Sequence, residues 1–85
     1  MFRSYWVRRI SRVRVGVLTL ANKRAEMGRA GDRESALRVA SLDQTADTLG
    51  RVIDDLQAGV AGSIGSARSW VRWWNNLPVW ERRAV

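Results

Sequence analysis

The sequence predicts an all-α protein, a helical hairpin whose second helix is long, heptad-patterned and assembled into an oligomeric bundle or coiled coil. Three observations predict it. Val39, Leu42, Ala46, Leu49, Ile53, Leu56 and Val60 recur at steps of 3 and 4 without a miss. That is the seam of a helix lying along another helix. Phe2, Trp6, Ile10, Val13, Val17 and Leu20 form a second stripe, at steps of 4, 4, 3, 4 and 3. Between the two stripes stands Gly28-Arg29-Ala30-Gly31, a break short enough to bring two helices back antiparallel.

Residues 1–28 read as a basic amphipathic helix or arm. Arg8, Arg9, Arg12 and Lys23 lie beside or behind the apolar stripe, as in a helix with one buried face. A competing reading is a short strand at 12–20, because Arg12-Val13-Arg14-Val15-Gly16-Val17 alternates strictly and is rich in β-branched residues. The helix is preferred, since its stripe is longer and residues 21–27 are good helix formers. In the turn at 29–32, Gly28 suits the left-handed position that ends a helix. Asp32 suits the next N-cap, with Glu34 and Ser35 in the first turn.

From residue 33 the helical pattern runs to 77, a length of about 66 Å at 1.5 Å per residue. Pro78 closes it, since the residue before a proline is pushed out of the helical region. The weak segment is 59–65, where Gly59, Gly62 and Gly65 cost roughly 2–3 kcal/mol against alanine. It is either a hinge or a place where the helix runs through, bent. Continuity is preferred because the register carries on to Ser63, Ala67, Trp70, Trp74 and Leu77 without a phase change. Residues 78–85 form a tail, folding back or fraying.

Within the seam, Val39, Ile53 and Val60 take the first core position, with the small Ala46 leaving a local gap, and leucines take the second; branched residues before leucine is the pattern of parallel two-stranded coils. Val52, Ile64 and Val71 widen the apolar face beyond a two-stranded seam. They suit three or more helices, or helix one packed alongside. A monomeric hairpin would leave the last third of the longer helix uncovered, so self-association is expected. Its interface residues are Val39, Leu42, Ala46, Leu49, Ile53, Leu56, Val60, Trp70 and Trp74.

Composition removes most chemistry. The 85 residues include no Cys and no His. That excludes disulfides, thiol nucleophiles, Cys/His zinc sites and histidine bases. Asp54 and Asp55 point about 100° apart on a helix and do not converge. Asp43, Asp47 and Asp54, with Arg51 among them, read as a solvated face. Gly59, Gly62 and Gly65 match no phosphate loop or dinucleotide fingerprint. No catalytic residue, metal, cofactor or small-molecule substrate is expected.

The net charge is +7, and Lys23 is the only lysine among fifteen basic residues. The charge is segregated. Residues 1–31 hold eight basic groups and one acid, residues 32–66 three against six, and residues 67–85 four against one. Arginine pairs well with phosphates and carboxylates and stacks on aromatic rings. Arg3, Arg8, Arg9, Arg12 and Arg14 are the candidate contacts to an anionic partner. Trp6, Trp73 and Trp80 are the candidate aromatic docking residues, since tryptophan anchors interfaces and stacks on bases. No apolar run reaches the ~18 residues of a membrane span, and 15–21 is too short for a signal-peptide core. The expected location is therefore the cytoplasm or the interior of a virus-like particle.

The function these features suggest is a non-enzymatic structural protein. It self-associates through the seam and docks with other proteins of a larger complex, such as a phage or virus particle. Nucleic-acid binding through the arginines and attachment to an anionic membrane surface are the alternatives.

Overall fold

A computed structural model describes residues 2–27 and 33–82, without the side chains of Phe2, Val79 and Trp80. Gly28, the turn at 29–32 with its Asp32 cap, Arg83 and the Trp80 docking side chain lie outside the described residues. The described chain is all-helical: α1 spans Phe2–Met27, α2 Arg33–Ala58, α3 Ser63–Asn75 and α4 Val79–Arg82.

Residues 12–20 are helical, so the strand alternative falls. The reason lies in the packing. Ile10, Val13, Val17, Leu20 and Ala21 are all buried, and only the helical period puts them on one face. Val15, which a strand would bury with Val13 and Val17, is 63% exposed. Fully burying each larger member of this stripe is worth about 1.5–3 kcal/mol.

α2 runs antiparallel to α1. Arg3 lies over Gly59 and Arg14 beside Gly50, while Arg24 and Arg38 share one partner at the far end. The single helix expected over 33–77 is two helices. α2 stops at Ala58 with the paired bonds of a Schellman motif. Gly59 N–H donates to the Leu56 carbonyl at 3.3 Å, and Val60 N–H to that of Asp55 at 2.9 Å. Gly59 (φ 74°) and Gly62 (φ 82°) both take the left-handed conformation, which costs glycine little. The Ser63 hydroxyl then donates to the Val60 carbonyl at 2.7 Å and starts α3. Residues 59–62 make up about one helical turn, so the heptad phase survives a chain reversal. Each helix keeps its own apolar spacing, and phase was no measure of continuity.

α3 returns alongside α1 in the same direction. Its start, at Ile64 and Arg68, lines one crevice with Tyr5 and Trp6, and Trp74 near its end lies against Gly16. A Cβ at residue 16 would lie 2.6 Å from Trp74 Cζ2. Glycine therefore lets the indole rest on the α1 backbone. α3 ends at Asn75, two residues before the expected stop, with the Asn76 N–H bonded to the Arg72 and Trp73 carbonyls. Pro78 opens α4 rather than closing a long helix, and its carbonyl accepts from Glu81 and Arg82 N–H.

The core joins all three long helices: Ile10, Val13, Val17 and Leu20 from α1, Leu42, Ala46, Leu49, Val52 and Leu56 from α2, Ala67 and Val71 from α3. The seam expected to face other chains is largely covered by this chain itself. Leu42, Ala46, Leu49 and Leu56 are buried, Val39 and Ile53 half-buried, and Val60 is 47% exposed in the turn. Trp70 and Trp74 are half-buried against the same core. The wide face is explained within the chain. α2 touches both α1 and α3, and Val52 is buried while Ile53 is half-buried against the same core.

Candidate functional site

The large apolar side chains left exposed among the described residues are Tyr5, Val15, Met27, Leu37 and Val60. They form no row at heptad spacing, so no second seam replaces the one that is buried. The apolar face of α1 that would lie on a membrane is also in the core. No helix among the described residues is long and apolar enough to cross a membrane. No group of three or more acidic side chains converges as a metal site there.

The five arginines singled out in α1 separate into two sets. Arg14 is half-buried, and its Nε donates to the Ala46 carbonyl at 3.1 Å. It ties α1 to α2 and lines a hollow with Asp47 and Asp54. Arg3 is exposed but lies over Gly59, at the carbonyl end of α2, where a cation is favoured by the helix dipole. Arg8, Arg9 and Arg12 remain. They line a hollow of about 170 Å³ together with Tyr5.

Tyr5 organises this end. Its ring stacks on that of Trp6, with centroids 5.1 Å apart and planes 21° from parallel. Arg9 Nη1 donates to the Tyr5 hydroxyl at 2.7 Å. The guanidinium carbon lies over the ring, 5.6 Å from its centroid, a cation–π contact on the hydroxyl side. On its other flank Tyr5 lines a crevice of about 370 Å³ with Trp6, Ile64 and Arg68. Tyr5 is thus common to both concavities, and four arginines surround it. Neither lining contains a carboxylate. Among the described residues Arg8, Arg12 and Arg68 form no ion pair.

Trp6 stands where the sequence placed it, beside the arginines. Trp73 does not join it. It packs edge-on to Trp70 at 5.4 Å and lies half-buried against the core. Tyr5 and Arg68 were missing from the expected site. Tyr5 carried a sequence signal, being an aromatic residue one step from Trp6 and four from Arg9. Arg68 carried none, because its approach to Tyr5 needs the reversal at 59–62.

The opposite end holds a second arginine cluster. Glu81 of α4 accepts from Arg38 Nη2 at 3.0 Å, and Arg24 Nη2 stands 3.9 Å from the same oxygen. The carboxylate side chain is 15% exposed. Here the chain supplies its own counter-charge.

Comparison with known protein families, characterised proteins and solved structures returns no match.

Proposed function

We propose that this chain is a non-enzymatic docking component of a larger assembly, binding an anionic partner through the arginine-bearing end of α1 and α3. One observation carries the reading. Arg8, Arg9, Arg12 and Arg68 gather around an exposed aromatic ring with no carboxylate in either lining. Like charges held this close repel, and an anion relieves them. The proposal keeps the expected assembly role and its setting in the cytoplasm or a virus-like particle. It replaces the heptad seam with a charged contact. Affinity for a polyanion should fall at least tenfold between about 50 and 200 mM salt. Binding that ignores salt would sink it.

A second reading, self-association, is favoured by a match of spacing. Arg12 and Lys23 are exposed on α1, eleven residues apart, and Asp43 and Asp54 are exposed on α2, also eleven apart. Eleven residues are about three turns and 16.5 Å, so each pair shares a helix face. A second copy can set its acidic pair on the basic pair of the first. Sedimentation decides it: the variants Arg12→Glu/Lys23→Glu and Asp43→Lys/Asp54→Lys should each stay monomeric and associate only when mixed. Two variants that stay monomeric in the mixture remove it.

A further inference from the structure

The two concavities flanking Tyr5 differ in chemistry, and the difference names a ligand. The smaller one is walled by Arg8, Arg9 and Arg12. The larger, about 370 Å³, is walled by Trp6 and Ile64 with Arg68 at its side. A ligand filling both carries repeated negative charge on one part and a flat apolar group on the next. We propose that the site takes a single-stranded polynucleotide, with phosphates across Arg8, Arg9 and Arg12 and one base in the crevice against Trp6 and Tyr5. This rests on the anion-docking reading and deepens it.

Three arguments select this occupant. A base presents a π-face of the kind that stacks on Tyr and Trp whatever its sequence, and arginines track the backbone between stacked bases. A duplex keeps its bases paired and stacked, so it would meet the arginines and leave the crevice empty. An acidic peptide would likewise answer the charge and not the aromatic wall. The volume lies within the range of small-ligand sites, roughly 300–1,000 Å³, enough for one base and not for a lipid tail with its headgroup. Arg9 adds a positional element. Bonded to the Tyr5 hydroxyl, it fixes the guanidinium beside the ring, next to where a base on that ring joins its phosphate.

The test is fluorescence anisotropy on the whole chain at low salt, using a labelled mixed-sequence single strand of about 16 nucleotides, the upper site size of comparable single-strand binders. Competitors are the same sequence as duplex, inorganic polyphosphate, polyglutamate and anionic lipid vesicles. The single strand should bind most tightly. Tyr5→Ala should weaken it about tenfold and bring it level with polyphosphate, and Tyr5→Phe should weaken it only about twofold, since the ring supplies the stack and the hydroxyl only positions Arg9. Arg8→Gln/Arg12→Gln should weaken every polyanion in parallel. Helical circular dichroism of Tyr5→Ala checks that the fold persists; should it be lost, Tyr5→Leu, which keeps the apolar bulk and removes the ring, takes its place with the same expected selectivity loss. A single strand bound no better than duplex, polyphosphate, polyglutamate or vesicles overturns the polynucleotide and leaves anion docking standing. So does a fully folded Tyr5→Ala with unchanged affinity. No binding to any of the five overturns both.

Discussion

The two ends of the molecule handle the same side chain in opposite ways. At one end Arg24 and Arg38 converge on Glu81, which α4 brings back from the C-terminal side. At the other, Arg8, Arg9, Arg12 and Arg68 surround Tyr5 with no carboxylate among them. Clusters of guanidinium groups repel unless water or an opposite charge intervenes. Where α4 packs down, water is partly excluded and the chain provides the carboxylate. Where α1 and α3 open to solvent, it provides none. An arginine cluster that the chain neutralises serves its own fold. The one that it leaves bare is the one that the proposed docking uses.

The strongest way to break that contrast is to reverse the bare end. Arg8→Glu/Arg12→Glu should lower affinity for a polyanion by about a hundredfold at low salt and flatten the salt slope by roughly two phosphates. Both side chains are exposed and outside the core, so the melting temperature should stay within a few degrees, as usual for surface changes. A large loss of melting temperature would mean that these arginines hold the fold rather than wait for a partner.

Next in size is the turn that brings Arg68 to Tyr5. Gly59 has φ 74°, and a Cβ there would also lie 2.7 Å from Arg3 Nη1. Gly59→Ala should cost about 1–2 kcal/mol from left-handed strain. That is a fall of roughly 4–15 °C in melting temperature for a chain this size. Gly50→Ala should by contrast be neutral or slightly stabilising, since Gly50 sits inside α2 without a positive φ and a Cβ there meets Arg14 Nε at an ordinary 3.5 Å. Equal melting points for the two variants would remove the turn from the account.

The two ends were not equally legible in the sequence. The stripe of Ile10, Val13, Val17 and Leu20 and the seam of Leu42, Ala46, Leu49 and Leu56 were readable because burial imposes a period, and the period is local. That the two stripes cover each other was not readable, since a heptad seam looks the same whether its partner is another chain or this one. The reversal at 59–62 was hidden because its length is close to one turn. Gly16 was counted toward a strand, whereas its role is to admit Trp74. A glycine inside an apolar helical stripe is a mark of close approach. Arg14 and Arg12 are two residues apart, and only placement against α2 separates the inward side chain from the outward one. Glu81, in a tail expected to fold back or fray, gave no sign that it would meet Arg38 across 43 positions.

The neutralised end offers the converse experiment. Glu81→Gln removes the counter-charge and leaves Arg24 and Arg38 beside each other. Both arginines are about a third or more exposed, at 33% and 40% of the side chain. Solvent therefore screens the pair, and the loss should be about 1 kcal/mol or less. Polyanion binding should rise a few-fold as a second bare cluster appears, and Glu81→Asp should fall between Glu81→Gln and the parent. Unchanged binding by Glu81→Gln would show that a bare arginine pair is insufficient. The aromatic ring at the other end would then be the deciding difference.

The smallest expected effect sharpens the open end most. Gly65 lies on α3 between Ile64 and Arg68, and a Cβ built there meets nothing within 4 Å. It sits in a helix and lacks the positive φ of Gly59 and Gly62. Gly65→Ala should therefore stabilise the fold by about 0.5–1 kcal/mol through helix propensity alone. It should leave polyanion affinity untouched, because Arg68 and Tyr5 keep their places. Differential scanning calorimetry at two protein concentrations reads the stability, and anisotropy with the labelled single strand reads the affinity. A gain in melting temperature independent of concentration means that the face around Gly65 looks onto water. A loss that deepens with concentration means that a second backbone packs there, and that the small residues of 59–66 serve contact between copies rather than the turn.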